Sequence, residues 1–125
     1  MTIKMTGVYV SNPVTAFEFY TSVLGFKELL FMPEARLAIV TSPEQPEGTA
    51  LMLEPNDNPI AKTYQEALYT ANIPVMVFGA DDIEAEYHRL KEKGVVFRRP
   101  PTVTAWGTET ELEDGFGNLI KIHKG

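Results

Sequence analysis

Few side chains in this sequence are equipped for chemistry, and most of them sit near the C-terminus. The segment DGFGNLIKIHKG (114–125) carries Lys121 and His123 two residues apart. Just before it, TETELE places Glu109, Glu111 and Glu113 at every second position. Together with Glu54, these residues could bring a histidine and two or three carboxylates together. Such a set could hold zinc or manganese, so Glu54, His123 and Glu109 form a candidate displaced metal site. The competing reading is a solvated strand face, because alternating Glu is common on surface strands and His123 lies close to the chain end. His88 falls on a helical stripe with Arg89, Lys91 and Glu92 and reads as surface. The chain has no cysteine, which excludes disulfides and thiolate metal sites. Two histidines are too few for a multi-histidine zinc site within one chain. No Walker motif, dinucleotide glycine motif, nucleophile elbow or Cys/His pair is present.

The elements that must position these residues follow from periodicity. The turn DGFGN needs the backbone freedom of glycine and asparagine, and the alternation in LIKIHK then predicts a strand. Its two faces are Ile120/Ile122 and Leu119/Lys121/His123. The same parity in the other strands gives one aliphatic face, Val8/Val10, Leu51/Leu53 and Val75/Val77, expected beneath helices. The opposite face collects Met5, Gly7 and Tyr9; Ala50, Met52 and Glu54; and Pro74, Met76 and Phe78. A face mixing Met, aromatic and charged residues has the character of a concave ligand cavity. Lys121 is then expected to point into that hollow, with Glu54 and the 109–113 strand as candidate carboxylate partners; a solvated strand face is the alternative. Trp106 is read either as a stacking platform in the cavity or as core.

An internal repeat organises the chain. Asn12-Pro13 starts a helix that stops at Gly25, with asparagine as N-cap and proline in the first turn. At an offset of 69 residues, Asp81 falls on Asn12, Ala85 on Ala16, Gly94 on Gly25 and Val95 on Phe26. GTALMLEP (48–55) falls likewise on GNLIKIHK (117–124). Each half therefore reads strand, helix, then three strands. The predicted strands lie near 3–10, 26–32, 36–42 and 48–54, and near 73–79, 95–99, 104–113 and 117–123. The predicted fold class is α+β, two tandem βαβββ modules in a single domain over 1–125. The first module spans about 1–54 and the second about 73–125. The insert 55–72 is expected to hold a short helix with Ile60, Tyr64, Ala67 and Leu68 inward, serving as a lid, a dimer arm or a linker.

Bulk properties narrow the partners. At 125 residues with net charge −6 and pI about 4.9, the chain lacks the clustered Lys and Arg that phosphate binding needs, so neither nucleic acid nor an anionic membrane is expected. Apolar stretches such as IPVMVFGA (73–80) are far shorter than the roughly 20 residues of a membrane span. MTIKMTGVYV has no signal-peptide pattern, and a cytoplasmic location is expected.

The segments VSNPVTAFEFYTSVLGF, VFGADDIEAEYHRLKEKGV and WGTETELEDGFGNLIKI resemble the vicinal oxygen chelate superfamily. That group contains glyoxalase I, extradiol dioxygenases, fosfomycin-resistance enzymes and bleomycin-resistance proteins. The resemblance covers nearly the whole chain, and the C-terminal segment is similar to the family's D-P-D-G-N-x-I-E-L ending. It implies two βαβββ modules curling into a half-barrel around a concave cavity, and a homodimer. It also implies that a divalent metal, where there is one, is held by His, Gln and Glu on the concave strand faces. Those positions here are Met5, Met52, Pro74 (Val75 if the strand slips by one) and Lys121. Thioether sulfur is soft, proline has no donor, and lysine is cationic near neutral pH. The resemblance therefore implies a metal-free protein with no cofactor. The leading expectation is a small-molecule binding protein similar to the bleomycin-resistance branch, with no assigned catalytic residue. Its cavity would be lined by Met5, Tyr9, Met52, Glu54, Met76, Phe78, Trp106, Lys121 and His123. The alternatives are a divergent glyoxalase- or dioxygenase-like enzyme with non-standard ligands, and a regulatory or interaction module with no small ligand.

Overall fold

The computed structural model describes residues 1–125, and the chain divides into two compact units, Met1–Thr63 and Tyr64–Gly125. Each contains one βαβββ module. The first has β1 (Met5–Val10), α1 (Pro13–Glu18), β2 (Lys27–Met32), β3 (Leu37–Thr41) and β4 (Ala50–Pro55). Its sheet runs β1-β4-β3-β2. β1 is parallel to β4, and the other pairs are antiparallel. The insert forms α2 (Pro59–Thr70), and the boundary between the units falls within this helix. The second unit has β5 (Met76–Gly79), α3 (Ile83–Glu92), β6 (Thr102–Thr104), β7 (Gly107–Glu113) and β8 (Leu119–Lys124), in the order β5-β8-β7-β6. The chain is thus α+β with two tandem βαβββ modules. No helix is long and apolar enough to cross a membrane.

In the first unit, α1 packs on β3 and β4. Val8, Val10, Val40 and Leu53 are buried with Ala16 and Tyr20 of the helical segment. In the second, α3 contacts β8, and Ile83 and Leu90 are buried, as are Leu112, Ile120 and Ile122. Asn12 caps α1 by accepting hydrogen bonds from the amides of Val14 and Thr15. The cap of α3 is Asp82, which accepts from Ala85 at 3.0 Å, and not Asp81.

This one-residue shift has a structural origin. The caps Asn12 and Asp82 are 70 residues apart, whereas the stop glycines Gly25 and Gly94, both at positive φ, are 69 apart. The first helical segment therefore holds one residue more than the second. A π-helical turn over Phe19–Val23 absorbs it, with the Leu24 amide bonded to the Phe19 carbonyl at 3.0 Å. Everything before the helix is offset by 70, and everything after it by 69.

Consequently the expected parity of β5 is corrected. Met76 pairs with Ile120 and Phe78 with Ile122, while Val77 pairs with Lys121 and Gly79 with His123. Met76 and Phe78 thus share the helix-covered face and are not on the face of Lys121. Val77, expected in the core, is 59% exposed. Pro74 is likewise displaced: the Val75 amide bonds to the Leu119 carbonyl, so Val75 is the register equivalent of Met5, which pairs with Ala50.

Two further expectations are revised. Residues 95–99 form no strand of their own; Phe97 makes an isolated bridge to Leu112, flanked by backbone bonds from Arg98 to Glu111 and from Glu113 to Val96. Pro100 and Pro101 lack the amides that would extend the ladder, and pairing resumes only at Thr102, in a hairpin that splits the predicted 104–113 strand at Ala105-Trp106. In α2 the shielded stripe is Ala61, Gln65, Leu68 and Tyr69, while Ile60 is 84% and Tyr64 52% exposed. The reason is polar: the Gln65 amide donates to the Phe116 carbonyl and to Asn118 Oδ1, both at 3.1 Å, which fixes the helix rotation.

Candidate functional site

The sheet face opposite the helix carries Met5, Tyr9, Met52 and Glu54 in the first unit and Lys121 and His123 in the second, but not Met76 or Phe78. In the first, register places Met5, Gly7 and Tyr9 beside Ala50, Met52 and Glu54. Ile39 pairs with Met52 and extends this face onto β3, and Leu30 pairs with Ile39. Leu29, in the β2 irregularity between Glu28 and Leu30, is 56% exposed. A groove of about 920 Å³ opens at the Met5–Ala50 end, against Leu29, Ile39, Thr41 and the 46–49 loop. The face is mainly aliphatic and thioether, and Met5, Leu30 and Met32 are substantially exposed on it. At its other end Glu54 rests over Gly7, where a β-carbon would lie 2.3 Å from Glu54 Oε2.

The equivalent face of the second unit is a charged network. Glu109 pairs with His123 and Glu111 with Lys121 across β7 and β8. The Glu109 side chain is only 8% exposed, with Lys121 Nζ at 3.3 Å from Oε1 and His123 Nδ1 at 3.1 Å from Oε2. The His123 hydrogen bond, followed by the Lys121 hydrogen bond and charge, holds the Glu109 carboxyl below its ordinary range despite desolvation, which acts the other way. An ionised carboxylate only accepts, so His123 must carry its proton on Nδ1. Arg99 forms a two-pronged pair with Glu111, both bonds at 2.9 Å, and Glu111 raises the Arg99 pKa through that hydrogen bond. Arg98 bonds to Glu113 at 3.2 Å and to Asn72 at 2.7 Å, and Glu113 also accepts from the Tyr69 hydroxyl. Lys121 thus has its carboxylate partner in Glu109, and Glu54 makes no ion pair.

The turn into β8 is fixed by Asp114, which is buried and accepts from the amides of Phe116 and Asn118 and from Asn118 Nδ2. Trp106 occupies neither core nor groove: it is 81% exposed at the tip of the β6–β7 hairpin. His88 is exposed, as expected. Sequence reasoning missed Arg98 and Arg99. Their signal was available, since two cations precede a strand of three alternating carboxylates.

The positions at which the family resemblance implies metal ligands carry no donors suited to a hard divalent ion. Met5, Met52, Val75 and Lys121 offer thioethers, a hydrocarbon and an ammonium. No group of three or more His, Asp or Glu side chains is disposed to hold a metal. His123 and Glu109 do meet, but with Lys121 as the third member.

A two-module α+β chain with one apolar and one ion-paired sheet face defines the class. The chain belongs to the Glyoxalase/Bleomycin resistance protein/Dioxygenase superfamily, whose family model matches residues 2–122. It is 44% identical to the uncharacterized protein YurT of Bacillus subtilis (strain 168), over 98% of each chain. Among solved structures it resembles UcmS2, with a TM-score of 0.81 and 25% identity, covering 98% of this chain and 97% of that one. It also resembles TnmS3, an antibiotic binding protein from Streptomyces sp. CB03234, with a TM-score of 0.78 and 25% identity over 99% and 95%.

Proposed function

We propose that this protein binds a small organic molecule without a metal and without catalysing a reaction on it, sequestering a drug or metabolite. The observation that carries the reading is the state of position 121. The family resemblance puts a metal-binding carboxylate there; this chain has an ammonium held on Glu109. A divalent cation bound at position 121 would face like charge. The thioethers of Met5 and Met52 and the hydrocarbon of Val75, at the other positions where the resemblance implies ligands, are no donors for a hard ion. The likeness to TnmS3, an antibiotic binding protein, supports the same reading. The proposed ligand-facing residues are Met5, Tyr9, Met52 and Glu54 in the first unit and Lys121 and His123 in the second. Thioether side chains adapt to apolar ligands of varied shape.

The exposed apolar face of the first unit also supports a homodimer, because such surface on a free chain favours association; a cytoplasmic location is part of the same proposal. Native mass spectrometry of freshly purified protein tests the proposal. The expected result is a dimer mass with no stoichiometric divalent metal, and thermal stabilisation by members of a drug-like ligand panel. About one zinc, nickel, manganese or iron per chain, lost with stability on chelation, would overturn it in favour of a metal-dependent enzyme.

A further inference from the structure

One carboxylate stands apart from all others in the molecule. An ionised carboxylate drawn away from water needs a partner, and each shielded acid here has one, with the exception of Glu54. Glu86 pairs with Arg89, Glu109 with Lys121 and His123, Glu111 with Arg99, and Glu113 with Arg98. Buried Asp114 accepts from two amides and from Asn118. Glu54 is half-buried on the apolar face of the first unit and has neither an ion pair nor a hydrogen bond to its carboxylate. Its place is made by an absence. Gly7, its neighbour on β1, has no side chain, and a β-carbon there would lie 2.3 Å from Oε2 and 3.2 Å from Cδ. Tyr9 stands directly across from Glu54 in the β1–β4 register, and Met52 precedes it on the same face. A carboxylate, an aromatic ring and a thioether form the lining that receives an alkylammonium group.

We propose that the Tyr9–Glu54 end of this face is a subsite for an organic cation, a protonated amine or quaternary ammonium carried on an apolar body. This deepens the small-molecule reading above and rests on it. The groove at Ala50 and the carboxylate at Glu54 are four residues apart along one strand, about 13 Å at ~3.3 Å per residue. An amphipathic molecule of that length sets its apolar part against Met5, Ile39 and Met52 and its cation against Glu54. The net charge of −6 draws such ligands toward the protein.

The test uses the full chain and a neutral naphthylamine dye whose fluorescence reports apolar binding. Three competitors of similar shape displace it: benzyltrimethylammonium, its neutral carbon isostere neopentylbenzene, and the anion phenylacetate. The expected result is displacement by the cation at about tenfold lower concentration than by the isostere, with phenylacetate weakest. Glu54→Gln should erase the cation's advantage and leave neopentylbenzene unchanged. Gly7→Ala, which pushes the carboxylate from its seat, should reduce the advantage as well. Equal displacement by cation and isostere, or a preference that survives Glu54→Gln, overturns the inference while the small-molecule reading stands. Failure of the dye and all three competitors to bind overturns both.

Discussion

Gln65 is the residue whose replacement tests most directly how the insert supports the second unit. It is 4% exposed on α2 and donates two hydrogen bonds of 3.1 Å, to the Phe116 carbonyl and to Asn118 Oδ1. Both acceptors belong to the turn that delivers Lys121 and His123 on β8. Gln65→Leu keeps the volume and removes both donors. Each buried hydrogen bond contributes roughly 0.5–1.5 kcal/mol net, so the loss should be about 1–3 kcal/mol. Gln65→Ala also strips a buried methylene, worth roughly 0.8 kcal/mol, and should total about 2–4 kcal/mol. Gln65→Glu is the sharper probe, because it sets an acceptor against two acceptors close to the Asp114 carboxylate. Its folded-state pKa must then lie above the unfolded value, so its deficit should be largest at neutral pH and shrink as pH falls. Urea midpoints followed by far-UV circular dichroism measure all three, and hydrogen exchange reports the Asn118 amide. A Gln65→Leu variant within ~0.5 kcal/mol of wild type, with unchanged exchange at Asn118, would refute the claim that this amide fixes α2 to the turn.

Glu109→Gln should lower stability at neutral pH. Because the folded pKa of Glu109 is depressed below its ordinary 4.5, the ionised pair contributes fully above that value. The gap between wild type and variant in urea midpoint should therefore close as pH falls below 4.5 and through the lower folded pKa. Gly107→Ala places a side chain at a φ of +137° with its β-carbon 2.3 Å from the Lys124 carbonyl oxygen. It should destabilise by ~2 kcal/mol or more in thermal melts. Asn12→Ala removes the cap of α1 and should cost about 1 kcal/mol in the same assay. Trp106→Ser, at an exposed hairpin tip, should stay within ~0.5 kcal/mol of wild type, and its quenching by acrylamide in the free wild-type chain should be nearly that of free tryptophan.

Local chemistry made much of this protein legible from sequence. The cap at Asn12, the stop glycines Gly25 and Gly94 and the turn at Asp114–Asn118 are written in residue types whose backbone preferences act within a few positions. So are the faces of β1, β4 and β8, where alternation is clean. The repeat was visible for the same reason. What sequence could not supply was the count between two such signals. An offset of 69 is right after the helices and wrong before them, because the first helical segment accommodates one more residue in a π turn. Strand parity depends on an integer, so a single uncounted residue exchanged the faces of β5 and moved Met76 and Phe78 away from Lys121. Likewise, alternation put Glu109, Glu111 and Glu113 on one face but could not pair them, since ion pairs form between neighbouring strands and depend on register and side-chain reach. Lys121 lies opposite Glu111 in register, yet its ammonium reaches diagonally to Glu109, while Arg99 takes Glu111 with a planar fork. The rotation of α2 was decided at a still longer range, by a glutamine that found its acceptors 51 and 53 residues away. Hydrophobic periodicity favoured Ile60 and Tyr64 inward. The tertiary structure buries Gln65 instead, because its amide donates two hydrogen bonds to the turn, while Ile60 and Tyr64 can be left in water.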